Sequence, residues 1–197
     1  MDTNDNNEKI TLKERIIECA WELFYEKGYD ETTIVDIIEK SNVAKGSFYY
    51  HFKGKDTLLN TLSNLLDANY IELDKEMSPD MNSYDKLLFL NYRSHQYIQK
   101  KIDSKLLARL YSAQLVKEEG SSLLDKNRYY FKLVTRIVDE GQKKGELIKD
   151  KSVDEIVTYY SMCERALVSD WCMNNGEYDL AEKSKDYLNR MMITFKL

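Results

Sequence analysis

The stretch Thr33-Ile-Val-Asp-Ile-Ile-Glu-Lys-Ser-Asn-Val-Ala-Lys-Gly-Ser-Phe-Tyr-Tyr-His-Phe-Lys-Gly-Lys55 combines two short helical patterns with a turn between them. Its isoleucines recur at helical spacing and predict a short helix that begins at Thr32 or Thr33. Asn42 tolerates a positive φ, so we expect a tight turn there. A further short helix is predicted from about Ala44 to His51. The stretch therefore has the pattern of the second and third helices of a helix-turn-helix unit.

The first helix of that unit lies upstream. Thr11-Leu-Lys-Glu14 is a capping-box pattern, which marks a helix start. Apolar residues follow at helical spacing, and Gly28 is suited to end the helix because glycine adopts left-handed conformations readily. We therefore expect three short helices with a tight turn between the second and the third.

The charge distribution is uneven. The chain has a net charge of −5 and a pI near 5.3, which taken alone argues against nucleic-acid binding. From Lys40 to Lys55, however, there are four lysines and no acidic residue. Such a local positive block is what attachment to a phosphate backbone requires.

The third predicted helix has a packed side and an exposed side. Val43, Phe48 and Phe52 supply the apolar side, which leaves polar groups to donate to base edges and phosphates in a major groove. Gly46 permits close approach of the backbone to a duplex. Thr33 offers a hydroxyl and free N–H groups to a phosphate, and Lys55 offers its ammonium. The predicted polar face consists of Lys45, Ser47, Tyr49, Tyr50 and His51.

The segment Val43-Ala-Lys-Gly-Ser-Phe-Tyr-Tyr-His-Phe-Lys-Gly-Lys-Asp56 resembles the recognition-helix signature of TetR-family regulators. The upstream segments 20–29 and 32–34 match as well, and the resemblance covers roughly residues 10–62. Asn42 stands where the family usually has glycine, and Ile38 stands where a small residue is common. By position, the resemblance implies DNA contacts at Thr33, Lys45, Gly46, Ser47, Tyr49, Tyr50, His51 and Lys55.

The whole chain is predicted to be all-α, with about nine helices, because it contains one proline and seven glycines in 197 residues. We expect a disordered tail at 1–9, a helix-turn-helix DNA-binding head at 10–54 and a C-terminal ligand-binding and dimerisation domain at 55–197. Ser152-Val-Asp-Glu155 is a second capping box. Beyond the head, helices are predicted over 55–77, 83–101, 104–118, 122–144, 153–174 and 180–195.

The resemblance implies a ligand pocket in the C-terminal domain. An apolar cavity with a few polar groups is the usual form of such a site. Arg109 is the expected anchor if the ligand is acidic, whereas the many tyrosines suit an aromatic or cationic ligand, and both alternatives stay open. The candidate lining residues are Tyr92, His95, Arg109, Tyr111, Tyr130, Met162 and Trp171.

The resemblance also implies a homodimer, whose two recognition helices read a palindrome about 34–36 Å apart. Apolar stripes at helical spacing in the last two helices are either protomer core or dimer interface. The candidate dimerisation residues are Val157, Tyr160, Leu167 and Trp171 in one helix, and Leu188, Met191, Met192 and Phe195 in the other.

We therefore predict a TetR-like transcriptional regulator, a repressor that a small molecule releases from an operator in double-stranded DNA. The alternative is a helical adaptor protein whose head does not bind DNA specifically. An enzyme is not expected, because no nucleophile–base pair, metal-ligand spacing or phosphate loop is present, and we predict no metal and no cofactor. No apolar run is long enough to span a membrane and Cys19, Cys163 and Cys172 fit free thiols, so we expect a cytoplasmic protein.

Overall fold

The computed structural model describes residues 11–115 and 122–197, so the predicted tail at 1–9 lies outside the described residues. These residues form ten α-helices and two short 3₁₀ turns, and they contain no strand beyond an isolated bridge between Leu147 and Lys196. The all-α prediction is confirmed. The helices are α1 (Leu12–Lys27), α2 (Ile34–Ser41), α3 (Lys45–His51), α4 (Lys55–Leu59), α5 (Leu62–Glu76), α6 (Ser83–Lys101), α7 (Ser104–Leu115), α8 (Tyr129–Lys144), α9 (Val153–Met173) and α10 (Leu180–Met192).

Residue contacts divide the chain into two compact units, and the boundary between them along the chain lies between Thr61 and Leu62. In the N-terminal unit, α1 starts at the predicted capping box: Thr11 Oγ1 accepts from Glu14 N, and the Glu14 carboxylate accepts from Thr11 N. The helix buries Ile16, Ala20, Leu23 and Phe24, and α1 packs against α2.

The turn between α2 and α3 has the predicted left-handed residue. Asn42 has φ +49° and ψ +51°, and its N–H bonds back to carbonyl groups of α2. Asparagine is among the few residue types that enter this region at low cost, because its short polar side chain forms local hydrogen bonds. The turn therefore forms without a glycine at this position.

The C-terminal unit is a bundle built from α5 to α10. The helix α10 packs on α6 and α9, while α8 packs on α5, α6 and α9. The predicted capping box at Ser152 and Glu155 starts α9, and Gly145, with φ +73°, ends α8. No helix in the described ranges combines the length and the apolarity needed to cross a membrane.

Three predicted helix boundaries differ from the structure. The helix predicted over 55–77 is interrupted at Asn60 and Thr61, where the Thr61 hydroxyl donates to the Leu58 carbonyl at 2.6 Å. The helix predicted from 122 is a 3₁₀ turn at Ser122–Leu124, and α8 begins at Tyr129. The last helix ends at Met192 and continues as a 3₁₀ turn. The predicted end of the 104–118 helix lies partly outside the described residues.

Candidate nucleic-acid interface and ligand cavities

The helix α3 has one buried side and one open side. Phe48 is fully buried and Phe52 nearly so, and their ring centroids lie 5.9 Å apart. The burial of these two side chains fixes the helix to its unit. On the other side Tyr50 is 84% exposed and Tyr49 is 47% exposed, beside the exposed Lys45. Large aromatic side chains held out in water on an anchored helix form a surface suited to contact with another molecule.

Gly46 completes this open side. A Cβ built at Gly46 would meet no atom within 4 Å, so packing within the chain does not require glycine there. The neighbouring Ser47 and His51 are partly exposed, and the His51 ring stacks edge-on against Tyr50 with centroids 4.9 Å apart. The structure thus places all six predicted contact residues of α3 together on one short helix.

The positive block is smaller in the structure than in the sequence. Lys40 forms ion pairs with Glu22 at 3.1 Å and Glu26 at 3.0 Å, both from α1. These carboxylates raise the pKa of Lys40 through hydrogen bonds and offset its charge. Lys45 and Lys53 remain as exposed cations of the block.

Lys55 and Thr33 differ from the other predicted contacts because their donors are engaged within the unit. The Lys55 ammonium donates to the carbonyl oxygens of Tyr29 at 2.6 Å, Asp30 at 3.3 Å and Thr32 at 2.8 Å. The hydroxyl and N–H of Thr33 both donate to the Asp36 carboxylate, at 2.6 and 2.7 Å. In this conformation the two residues order the approach to α2 through these hydrogen bonds.

The C-terminal unit contains two adjoining cavities. The outer cavity, of about 490 Å³, lies between α7, the 3₁₀ turn at Ser122–Leu124 and α9. Its volume falls in the range of ordinary small-molecule sites. Its walls are mainly apolar, and Arg165 is the charged residue among the described residues that line it. The lining residues include Tyr111, Leu115, Leu123, Arg165, Ala166 and Met173.

The inner cavity is smaller, about 50 Å³, and a larger share of its wall is polar than in the outer cavity. Tyr111, Leu123 and Arg165 line both cavities, so the two are neighbours. The inner walls also carry His95 and Glu164, which are 2% and 5% exposed. Burial raises the pKa of the Glu164 carboxyl and lowers the pKa of His95 to about 3, so His95 is neutral near pH 7.

Comparison with known proteins gives consistent matches along both units. Residues 16–62 match the bacterial regulatory proteins of the tetR family, and residues 71–194 match the C-terminal region of YsiA-like proteins. The chain belongs to the TetR family. It is therefore a DNA-binding transcriptional regulator, and the resemblance inferred from residues 10–62 is confirmed.

Individual TetR-family relatives are distant in sequence. The HTH-type transcriptional regulator QacR of Staphylococcus aureus is 28% identical over 142 residues, which are 70% of this chain and 74% of QacR. The FadR repressor of Thermus thermophilus, solved with lauroyl-CoA, has a TM-score of 0.77 at 21% identity and covers 94% of this chain and 95% of its own. FadR of Bacillus subtilis, solved with stearoyl-CoA, has a TM-score of 0.70 at 22% identity over 92% of this chain and 98% of its own.

The structure brings some of the predicted ligand residues together and separates others. Tyr111 lines both cavities, and His95 and Tyr130 line the inner one. The other four lie outside the walls of these two cavities. The phenol of Tyr92 donates to Glu182 at 2.6 Å, the indole of Trp171 donates to the Tyr178 carbonyl at 3.0 Å, Arg109 is exposed on α7, and Met162 is exposed on α9.

The predicted dimerisation residues differ in how far their own chain buries them. Six of the eight residues are buried in the protomer core, and a side chain that its own chain already covers has no area left to bury against a second copy. Helical spacing identifies an apolar face but not the surface that covers it. Met191 and Phe195 are partly exposed. The six core residues are Val157, Tyr160, Leu167, Trp171, Leu188 and Met192.

Sequence reasoning missed the charged residues that line the cavities in the described part of the chain, which are Arg128, Glu164 and Arg165. Glu164 lies four residues after Tyr160 and three before Leu167, so it shares the buried face of α9 with them. An acidic residue on an otherwise apolar helical face is a signal that the sequence already contained. Arg165 had no such signal, because its place beside both cavities depends on the position of α7.

Proposed function

We propose that this TetR-family protein is a homodimeric repressor that binds a palindromic operator and is released by a small, largely apolar ligand in the C-terminal unit. The ligand acts by binding more tightly to a state with low operator affinity, because a ligand shifts an equilibrium only by its differential affinity for the two states. A protein that acts on a bacterial chromosome works in the cytoplasm, which we propose as its location.

The observation that carries the DNA-binding role is the open side of α3. An anchored helix that presents Tyr49, Tyr50 and Lys45 to solvent has hydrogen-bond donors and a cation at the places where base edges and phosphates lie in a major groove. Gly46 supports the same role, because packing within the chain does not require a glycine at this position. We assign the first contacts with DNA to this helix, and to Thr33 and Lys55 an ordering role.

The outer cavity supports the ligand-binding role. Its volume and its apolar walls suit a small molecule with a substantial apolar body. The two FadR neighbours solved with acyl-CoA also support a cavity of this kind in the C-terminal unit.

The dimer is supported by the exposed apolar residues of α9 and α10. Exposed apolar side chains that share one helical face often mark an interaction surface in soluble proteins. We therefore propose that the exposed face of these helices, and not the buried stripe, forms the dimer interface. The residues proposed for it are Tyr159 and Met162 of α9, Tyr187 of α10, and Ile193 in the 3₁₀ turn that follows α10.

The first experiment is selection of bound duplexes from a random DNA library by the full chain at about 150 mM salt, where weak non-specific binding is suppressed. We expect one palindrome with half-site centres about one helical turn apart. Tyr50→Ala and Lys45→Glu should each lower affinity for it by about tenfold or more. Lys13→Glu, the same charge reversal at an exposed site on α1, is the matched control.

The alternative is an adaptor role without specific DNA binding. It predicts no enriched palindrome and equal, salt-sensitive binding by wild type and Tyr50→Ala. If the library selects one palindrome and Tyr50→Ala loses it, the adaptor alternative is excluded.

A further inference from the structure

Glu164 of α9 is a buried carboxylate, and its hydrogen-bond partners among the described residues are all neutral. It accepts hydrogen bonds from the Tyr130 hydroxyl at 2.6 Å, the Tyr160 hydroxyl at 3.1 Å and the Asn91 amide at 3.2 Å. Its residue is 5% exposed, so water does not solvate it. Burying a carboxylate without a paired positive charge is costly, even when its oxygens are hydrogen-bonded.

No basic group in the described part of the chain forms an ion pair with this carboxylate, although Arg128 and Arg165 line the same cavity and the charge of Arg165 acts to lower the pKa of Glu164. His95 is neutral near pH 7, and its Nδ1 lies 2.6 Å from Ser184 Oγ. The Arg128 guanidinium is paired with Asp67 at 2.8 Å. Arg165 forms no ion pair with the carboxylate among the described residues and is itself partly exposed, so water offsets the cost of its charge.

Tyrosine rings surround the same carboxylate. Tyr70, Tyr111 and Tyr130 line the inner cavity with Glu164, and the rings of Tyr70 and Tyr130 lie 5.0 Å apart. Burial raises the pKa of these three phenols, which stay neutral. The faces of neutral aromatic rings attract cations, most strongly where water is excluded.

The two cavities differ in size, and each suits a different part of one ligand. The inner cavity has room for one small polar group, whereas the outer cavity has room for an apolar body. We propose that the effector is an organic cation with an elongated apolar body, whose positively charged head binds between Glu164 and the tyrosines. This assignment rests on the ligand-release function proposed above and names the chemical class of the ligand.

The test is a calorimetric titration of the full chain with four twelve-carbon probes that differ in the head: dodecylammonium, dodecyltrimethylammonium, dodecanol and dodecyl sulfate. The three charged probes are kept below their micellar concentrations and dodecanol below its solubility limit, with the protein in the syringe where the probe is sparingly soluble. We expect at least one of the two cations to bind about tenfold or more tightly than the alcohol and the sulfate. Glu164→Gln should reduce the affinity for that cation to the level of the alcohol. Glu177→Gln, at an exposed position beyond α9, should leave it unchanged.

Each outcome decides the assignment. Tighter binding of the sulfate than of both cations would make Arg165 the anchor and overturn the proposal, as would equal cation binding by wild type and Glu164→Gln. A lack of cation binding at millimolar concentration overturns it as well. If Glu164→Gln does not fold by circular dichroism, the order of the four probes on wild type decides alone.

The same titrations separate this assignment from the release function when they are repeated with the selected operator. If a cation binds through Glu164 without changing operator affinity, the release mechanism fails and the ligand class stands. If dodecyl sulfate or lauroyl-CoA releases the operator and the cations do not, the release mechanism stands and the ligand class fails.

Discussion

The Lys55 ammonium donates a hydrogen bond of 2.8 Å to the Thr32 carbonyl oxygen, across 23 residues of sequence. The same ammonium bonds to the carbonyls of Tyr29 and Asp30 and lies 4.2 Å from the centre of the Tyr29 ring. Asp56, next in sequence, accepts a hydrogen bond from the Tyr29 hydroxyl. The start of α4 therefore holds the loop that leads into α2.

A role of this kind makes a quantitative prediction for Lys55→Gln. Loss of hydrogen bonds from a charged donor should lower the free energy of unfolding by about 1–3 kcal/mol in urea titrations. Operator affinity should fall as the loop loosens, but the slope of log K against log salt should stay the same, because no phosphate contact is lost. A slope that is smaller by about 0.9 would instead identify Lys55 as a phosphate contact.

Gly46→Ala should separate stability from DNA binding. The added methyl meets no atom within 4 Å, and alanine stabilises a helix over glycine by about 0.5–1 kcal/mol. The variant should therefore unfold at slightly higher urea concentration and bind the selected operator more weakly, as measured by fluorescence anisotropy. Unchanged operator affinity would show that the backbone of α3 does not approach the duplex closely.

Two adjacent residues of α10 should affect different properties when each is changed to alanine: one the folding of the protomer, the other the dimer. Leu188 is fully buried, so Leu188→Ala should lower the free energy of unfolding by about 2–5 kcal/mol. Tyr187 is 47% exposed, so Tyr187→Ala should leave protomer folding nearly intact and weaken the dimer. Analytical ultracentrifugation across a concentration series measures the second effect. A dimer that is unaffected by Tyr187→Ala, Met162→Lys and Ile193→Lys alike would place the interface elsewhere.

Because His95 is buried, we expect the free energy of unfolding to fall in mild acid. Burial lowers its pKa from the usual 6.5 to about 3, so the unfolded chain binds a proton that the folded chain excludes. The stability that His95 contributes is complete above pH 6.5 and is lost as the pH falls toward 3, by at most about 1.4 kcal/mol per pH unit. His95→Gln retains a hydrogen-bonding group beside Ser184 and should flatten this slope between pH 7.5 and 5 in urea titrations.

Glu164 acts in the opposite direction in the same range. Its pKa is raised, so its contribution is present below its ordinary value of 4.5 and decreases as the pH rises. Wild type and His95→Gln both contain Glu164. The difference between their pH profiles therefore isolates the contribution of His95. Equal profiles for wild type and His95→Gln would contradict the assignment.

The sequence by itself determined the local features of the head and the class of the fold. The capping box at Thr11, the left-handed turn at Asn42 and the anchoring role of Phe48 each depend on residues within a few positions of one another, so local chemistry is sufficient to predict them. The motif at 43–56 identified the family for the same reason, since its residues lie on one short helix and the turns beside it.

Only the tertiary structure decided which of those groups are available. Lys40 is offset by Glu22 and Glu26 of another helix, and the Lys55 ammonium is held by the loop before α2. The stripe at Leu188 proved to be core, and the carboxylate of Glu164 proved to be a cavity wall. Charge pairing and burial depend on distances between segments far apart in sequence. Periodicity specifies the direction a side chain faces on its helix, and the packing of the helices specifies what it meets there.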